Sequence, residues 1–372
     1  MALWLNDHLD APSKELMEVG DGTLNLLLSW GTPKVVFCTH MDTVPPYIKP
    51  QAKWDTLASL GMTETPSVIH MKSERPTVIS TERSEGENLI SGRGSCDAKG
   101  QIFAMYTACK ELEAEEHTDF GLLILAGEET GSWGAKAFSK TGFKAPFLIV
   151  GEPTDNKMVS AAKGTLSYDL KFTGEAFHSG YPECGTSAVE LFCAFHSALK
   201  AVDWGIDPEL GETTWNIGLL SSPNPQNSLS PELTCRLYFR TTFISHEAVQ
   251  RWMQEIAGQA GNDEAAPAIT PSAPAVMPDA PASVMPDLIG HLTVTPRGGD
   301  VPARYVVLDG FESAPVAFGS DAPHLTGFGH KIICGPGSIT VAHRDNEHVL
   351  VSDLETAVRQ YVRMAVELIN CK

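Results

Sequence analysis

Three short, almost wholly apolar runs in this chain each lead into residue types that bind metal ions. Lys34 to Thr39 (KVVFCT) leads into His40, Gly121 to Ala126 (GLLILA) into Glu128-Glu129, and Phe147 to Gly151 (FLIVG) into Glu152. Unbroken apolar runs of about four to eight residues are the pattern of strands buried on both faces. Helical periodicity lies between them: Ile102, Met105, Tyr106, Cys109 and Leu112 recur at helical spacing over 98–113, and a shorter helix is predicted over 132–139. A fourth run, Lys331 to Cys334 (KIIC), returns near the end. Strands alternating with helices predict an α/β sheet covered on both sides. In such sheets ligands bind beyond the carboxyl ends of the strands, so three strands are expected to bring His40, Glu128-Glu129 and Glu152 to one edge.

Two further stretches carry the same residue types, Asp97 within Gly92-Arg-Gly-Ser-Cys-Asp-Ala-Lys-Gly100 and His343 within Val341-Ala-His-Arg-Asp-Asn-Glu347. Any one of these residues alone reads as a solvated acid or a core histidine. Together, with Gly-rich turns beside them, they supply what two divalent ions need: an imidazole each, several carboxylates, and one carboxylate to bridge.

Composition narrows the partners. The net charge of −19 disfavours nucleic acid and anionic membranes, which are bound through clustered basic residues. No apolar run reaches the roughly 18 residues of a membrane-spanning helix, and the N-terminal residues lack a signal-peptide pattern; the default expectation is a cytoplasmic protein. The eight cysteines form no C-x-x-C pair and read as thiols of a reducing compartment. Cys96 adjoins Asp97, but no histidine lies near it in sequence to act as its base.

The middle of the chain differs. Thr165 to Thr173 and Thr234 to Phe243 alternate more loosely, as strands with one solvated face do, and helical stretches follow at 187–202 and 246–257. This predicts an inserted α+β domain over 162–297, between the two parts of the α/β domain at 1–161 and 298–372. The Ala/Pro-rich segment 262–287 reads as an extended excursion, and 47–90 as a long polar connection, a hairpin or a loop.

The motifs His40-Met-Asp-Thr-Val-Pro45, Gly92–Gly100, Gly127-Glu-Glu129, Gly151-Glu-Pro-Thr154 and Val341–Glu347 resemble those of the M20 family of metallopeptidases and deacylases, from about residue 35 to the end. The resemblance implies a phosphorylase/hydrolase-like zinc-exopeptidase catalytic domain with an inserted ferredoxin-like lid and dimerisation domain. It implies two divalent ions, zinc with cobalt or manganese as alternatives, bridged by Asp97. His40 and Glu152 would complete one ion, Glu129 and His343 the other. His348 competes with His343, and the family pattern, with its ligand before Asn-Glu, selects His343. Asp42 would hydrogen-bond the far nitrogen of His40, the Asp97–Ala98 peptide would be cis, and Glu128 would be the general base.

In the insert, Phe177-His-Ser-Gly-Tyr-Pro182 resembles the family's lid motif, which implies that His178 reaches a partner subunit's site and stabilises the oxyanion, hence a homodimer. The resemblance also implies substrate contacts from Asn227 and Arg240, and a guanidinium suits a carboxylate. The turn Gly335-Pro-Gly337 is expected to offer backbone N–H groups to the same carboxylate. Within the family, TTWNIGLLSS, RLYFRTT and CGPGSITVAHRDNEHV look most like acetylornithine deacetylase. That implies an N-acyl amino acid amidohydrolase acting on linear, non-peptide C–N bonds, in the setting of arginine biosynthesis. A dipeptidase or carboxypeptidase is the alternative of the same class, and a non-catalytic metal- or amino-acid-binding protein that of a different one. The family usually has a longer region before the first strand, where this chain has 39 residues preceding His40.

Overall fold

A computed structural model describes residues 1–53, 88–259 and 290–371. The 262–287 excursion, and most of the 47–90 connection, lie outside the described residues. The first part of the chain runs α1 (Ala2–His8), β1 (Ser13–Gly20), β2 (Thr23–Trp30), β3 (Val35–His40), β4 (Gln51–Lys53), β5 (Leu89–Ser91), α2 (Lys99–Ala114), β6 (Phe120–Leu125), α3 (Trp133–Ser139) and β7 (Ala145–Val150). The middle follows as β8 (Met158–Ala162), β9 (Gly164–Thr173), α4 (Ala188–Ala201), β10 (Ile206–Asp207), β11 (Gly211–Glu212), β12 (Thr214–Ser221), β13 (Glu232–Thr241), α5 (His246–Gln259), β14 (Leu292–Gly298), β15 (Ala303–Arg304) and β16 (Ser313–Val316). The chain ends with β17 (Phe328–Ile333), β18 (His348–Leu350) and α6 (Val351–Ile369). No described helix is long and apolar enough to cross a membrane.

The chain divides into two compact units, one of residues 1–159, 305–313 and 320–372, the other of residues 160–304 and 314–319. In the first, six strands form a mixed sheet in the order β1-β2-β6-β3-β7-β17. The central strands β6, β3, β7 and β17 are parallel, and β1 and β2 are antiparallel additions. Every residue of β3 and β6 is buried, as two-sided cover requires. Helices α2 and α6 pack on each other and against β3, while α3 packs on β1 and β2. Because α2 leads from β3 to β6 and α3 leads from β6 back across β3 to β7, the strand order reverses at β3. The open edge at such a reversal is where an α/β sheet takes its ligand.

The residues before His40 contain a hairpin that the sequence reading did not place. Its turn is Asp21-Gly22, both with positive φ (50° and 72°), the two-residue type that matches strand twist and favours Asp-Gly. It extends the sheet by two strands, and Leu26 and Leu28 on β2 are fully buried in its core. At the ends of the 47–90 connection, β4 pairs antiparallel with β5, and β5 pairs in turn with β18.

The second unit is a four-stranded antiparallel sheet, β12-β13-β9-β14, with α4 and α5 on one face. Its chain order β9-α4-β12-β13-α5-β14 is the split βαβ arrangement of ferredoxin-like folds. Along β13, buried Leu233, Cys235, Leu237 and Phe239 alternate with partly exposed Thr234, Arg236, Tyr238 and Arg240. One face therefore supplies the core and the other is polar.

Candidate metal centre

His40 is the last residue of β3, where its imidazole is almost completely buried (1% exposed). Its Nδ1–H donates to the carbonyl oxygen of Asp42 at 3.1 Å, so Nε2 keeps its lone pair and lies 3.0 Å from Asp97 Oδ1. The expected neighbour of Nδ1, the Asp42 carboxylate, stands 3.6 Å from it and holds the His40 imidazole up against the effect of burial. The same carboxylate also accepts from the backbone N–H groups of Gly127 (2.9 Å), Glu128 (3.2 Å) and Glu129 (3.2 Å). Asp42 thus fixes the turn after β6, because the chain leaves the neighbouring parallel strand beside that turn.

Two ligand groups share one carboxylate. His40, Asp97 and Glu152 form the first, and Asp97, Glu129 and His343 the second; within each, the candidate ligand atoms lie within 4.8 Å of one another. Asp97 turns Oδ1 to the first group and Oδ2 to the second, where His343 Nε2 lies 3.2 Å from Oδ2 and 3.0 Å from Glu129 Oε1. The Asp97–Ala98 peptide is cis. His348 joins neither group and hydrogen-bonds the Asn346 carbonyl at 2.8 Å.

The electrostatics of this cluster call for cations. Burial would raise the Asp97 carboxyl, but His343 and His40 hold it below the usual carboxylate range. The other acids go the opposite way. Burial pushes Glu128 up to about 8, opposed by His40 and reinforced by Asp321, Glu129 and Asp97. Glu152 is raised well above the ordinary range, first by burial and then by Glu128, and Glu129 is raised by burial and Asp97. Hydrogen bonding to Asp97 holds His343 up at about 9, against the effect of burial. Two imidazoles, His40 and His343, face six carboxyl groups here, those of Asp42, Asp97, Glu128, Glu129, Glu152 and Asp321, a surplus of acidic groups. Among the described residues, Glu152 Oε1 is also buried without a hydrogen-bond partner, an expensive state for an acceptor unless a cation faces it. The donor set, nitrogen and oxygen with one carboxylate facing both ways, fits two divalent ions of the zinc, cobalt or manganese kind.

Asp321 was not foreseen. It is 2% exposed, hydrogen-bonded by Ser132, and raised by burial to about 6. Its Oδ1 also has no hydrogen-bond partner among the described residues. An acid before Ala-Pro reads locally as a turn residue, and only the folded chain puts it in the field of Glu128.

One expected contact is corrected. Gly335 N–H donates to Thr154 Oγ1 at 2.9 Å, so it is not available to a substrate carboxylate. A Cβ at Gly335 would fall 2.2 Å from Gln101 Oε1 and 2.6 Å from the Glu152 carbonyl oxygen; this glycine lets the strand end lie against Glu152. Gly337 is buried, has φ +81°, and accepts from Asp155 N–H at 2.7 Å. A Cβ there would meet Cys96 Sγ at 2.6 Å.

His178, Asn227 and Arg240 belong to the second unit. His178 and Asn227 are neighbours there: His178 bridges to Ser228, and Ser179 N–H donates to the Asn227 carbonyl at 3.0 Å. Gly180 N–H donates to His178 Nδ1 at 3.1 Å, which leaves the neutral ring's proton on Nε2. Arg240 lies near the other end of β13, with its guanidinium 5.1 Å from the Tyr238 ring centroid. Eight residues of strand separate it from Glu232, about 25 Å at the usual strand rise.

Comparison with known proteins places this geometry in a context. The profile of peptidase family M20/M25/M40 matches residues 36–285. A "probable carboxypeptidase" of Aspergillus flavus is 32% identical over 90% of this chain and 73% of its own length, and one of Aspergillus niger is 32% identical over 90% and 74%. Among solved structures, a tripeptidase from Staphylococcus aureus is similar with a TM-score of 0.67 at 18% identity, covering 96% of this chain and 89% of its own. An M20 family metallo-carboxypeptidase from Sulfolobus solfataricus is similar with a TM-score of 0.60 at 14% identity, covering 98% and 92%.

Proposed function

Since the chain belongs to peptidase family M20/M25/M40 and is a metal-dependent hydrolase of that family, we propose that it cleaves the amide that joins an acyl group to an amino acid with a free carboxylate, releasing that amino acid. The observation that carries this reading is Asp97, whose two oxygens face two separate ligand groups, with Glu128 beside them. Two divalent ions held by His40, Asp97, Glu152, Glu129 and His343 would polarise the amide carbonyl and lower the pKa of an attacking water.

The protein's own part is proton transfer and positioning. Glu128 takes a proton as water oxygen bonds to the carbonyl carbon. It then passes that proton to the amine nitrogen as the C–N bond breaks. Asp42 holds the Glu128 backbone in place. His178, with its proton on Nε2, would donate to the developing oxyanion. A metal-storing or merely binding protein would have no use for Glu128 or for this donor.

Carboxypeptidase action is the first reading of the acyl side, because the curated relatives at 32% identity carry that name. Removal of a small acyl group from an N-acyl amino acid, as in acetylornithine deacetylase, is the second, and the stretches at 213–222, 236–242 and 334–349 favour it. Both leave the same kind of product, and Arg240 is the candidate for its carboxylate. The homodimer belongs to this reading as the family resemblance implies it, with His178 supplied by a second copy; Asn227 would come with it, since its carbonyl accepts from Ser179 N–H.

Assaying free amino acid release from N-acetyl amino acids, N-blocked dipeptides and free dipeptides, with and without divalent metal, tests the proposal. Metal-dependent release from the peptides supports the first reading and from the acetyl compounds the second. Release from none of them in the metal-loaded protein would sink both.

A further inference from the structure

Glu347 is buried (1% exposed) and is not itself one of the candidate ligands, yet it is tied to the chain on both sides of them. Its Oε1 accepts three backbone N–H groups of one turn, from Gly94 (2.9 Å), Cys96 (3.1 Å) and Asp97 itself (3.1 Å). Its Oε2 takes Arg93 Nη1 at 2.7 Å. The guanidinium, equally buried, continues outward: Nη2 donates to the His343 carbonyl at 3.4 Å and Nε to the Pro46 carbonyl at 3.3 Å. Below this pair, β5 and β18 run antiparallel with Ser91 opposite His348, and Gly92 N–H donates to the Glu347 carbonyl at 2.9 Å. The Asp97 turn and the His343 turn therefore leave the same end of one small ribbon, and the Arg93–Glu347 pair binds them together.

We propose that Glu347, clamped by Arg93, is the positioning residue that sets the distance between Asp97 and His343 and so determines whether the second cation is held. The inference rests on the two-cation reading above. Its physical basis is the convergence of three N–H groups on one carboxylate oxygen, which behaves as an anion in a nest of backbone dipoles. That fixes the backbone that carries Asp97. The planar fork of Arg93 then carries the constraint to the carbonyl of His343, a reach that a lysine point charge would not reproduce. Groups that orient ligands without binding the metal commonly change metal affinity by about ten- to a hundredfold.

Glu347→Gln alone would leave the Arg93 charge buried and unpaired, and the fold itself would suffer. Two other variants keep the test decisive. Glu347→Asp keeps the charge but retracts it by one methylene, so that it cannot span both the turn and the guanidinium. Glu347→Gln with Arg93→Met removes both charges together. Metal-free protein of each is titrated calorimetrically with Zn2+, with circular dichroism as the check on folding. The expected result is two equivalents bound by the wild type, and a second equivalent weakened about ten- to a hundredfold in both variants. A purely structural role would shift the melting temperature and leave the second binding constant alone. Two equivalents bound at wild-type strength in both variants overturn this proposal while sparing the metal reading. A wild type that binds no zinc overturns both.

Discussion

The carboxylate of Asp42 and the backbone of Glu128 are joined by a 3.2 Å hydrogen bond, with Gly127 and Glu129 N–H donating to the same carboxylate at 2.9 and 3.2 Å. One acid after β3 thus orients the acid proposed to move the proton after β6. Asp42→Asn keeps the shape but turns a charged acceptor into a neutral one. We expect kcat to fall about ten- to a hundredfold, the usual range for groups that orient others at metal sites. Steady-state kinetics beside metal analysis checks this, and an unchanged kcat would remove Asp42 from the machinery.

Glu128→Gln removes the proton carrier without changing volume. Metal content and fold should persist while kcat drops by about 10²–10⁴, the range ascribed to a positioned general base. Full activity in this variant would refute the assignment of Glu128.

Metal removal should cost stability, because the cations bind only the folded cluster. A chelator is expected to lower the melting temperature, and divalent metal to restore it. Glu152→Gln should do the reverse in metal-free protein. It removes a buried carboxyl raised well above its ordinary range, and Tm should rise by about 2–4 °C for each kcal/mol relieved, while zinc affinity falls. Metal-free Glu152→Gln melting no higher than the wild type would contradict the charge-surplus account.

The second unit carries a pH dependence of its own. His246 is 7% exposed, with Nδ1 2.7 Å from Thr241 Oγ1. Burial lowers its pKa from 6.5, against the charges of Glu247 and Asp300. A lowered folded value means that the unfolded chain takes up the proton first as pH falls. The contribution is therefore present in full above pH 6.5 and is lost as pH drops through the folded value. Urea denaturation at several pH values should show a shallower acid decline for His246→Gln than for the wild type. Parallel curves would rule out this residue as a source.

Much of the catalytic layer was legible in the chain. The runs before His40, Glu128 and Glu152 are continuously apolar because parallel strands are covered on both faces, and that periodicity needs no partner to be read. The hairpin before β3 was missed although Asp21-Gly22 announces it, since its strands contribute no ligand. The backbone donors to the Asp42 carboxylate were hidden for a different reason: they lie 85 to 87 residues away. Gly335 looked like a free donor in sequence, and Thr154 takes its N–H in the fold.

The sequence by itself determined the strands, the residue types at their ends and hence the chemistry open to the chain. Which oxygen of Asp97 faces which histidine, and how Glu347 reaches across 254 residues to Arg93, was decided only by tertiary structure. Hydrophobic periodicity is a local property of the chain. The direction of a buried carboxylate is set by whichever donors the whole fold brings within 3 Å or so of it.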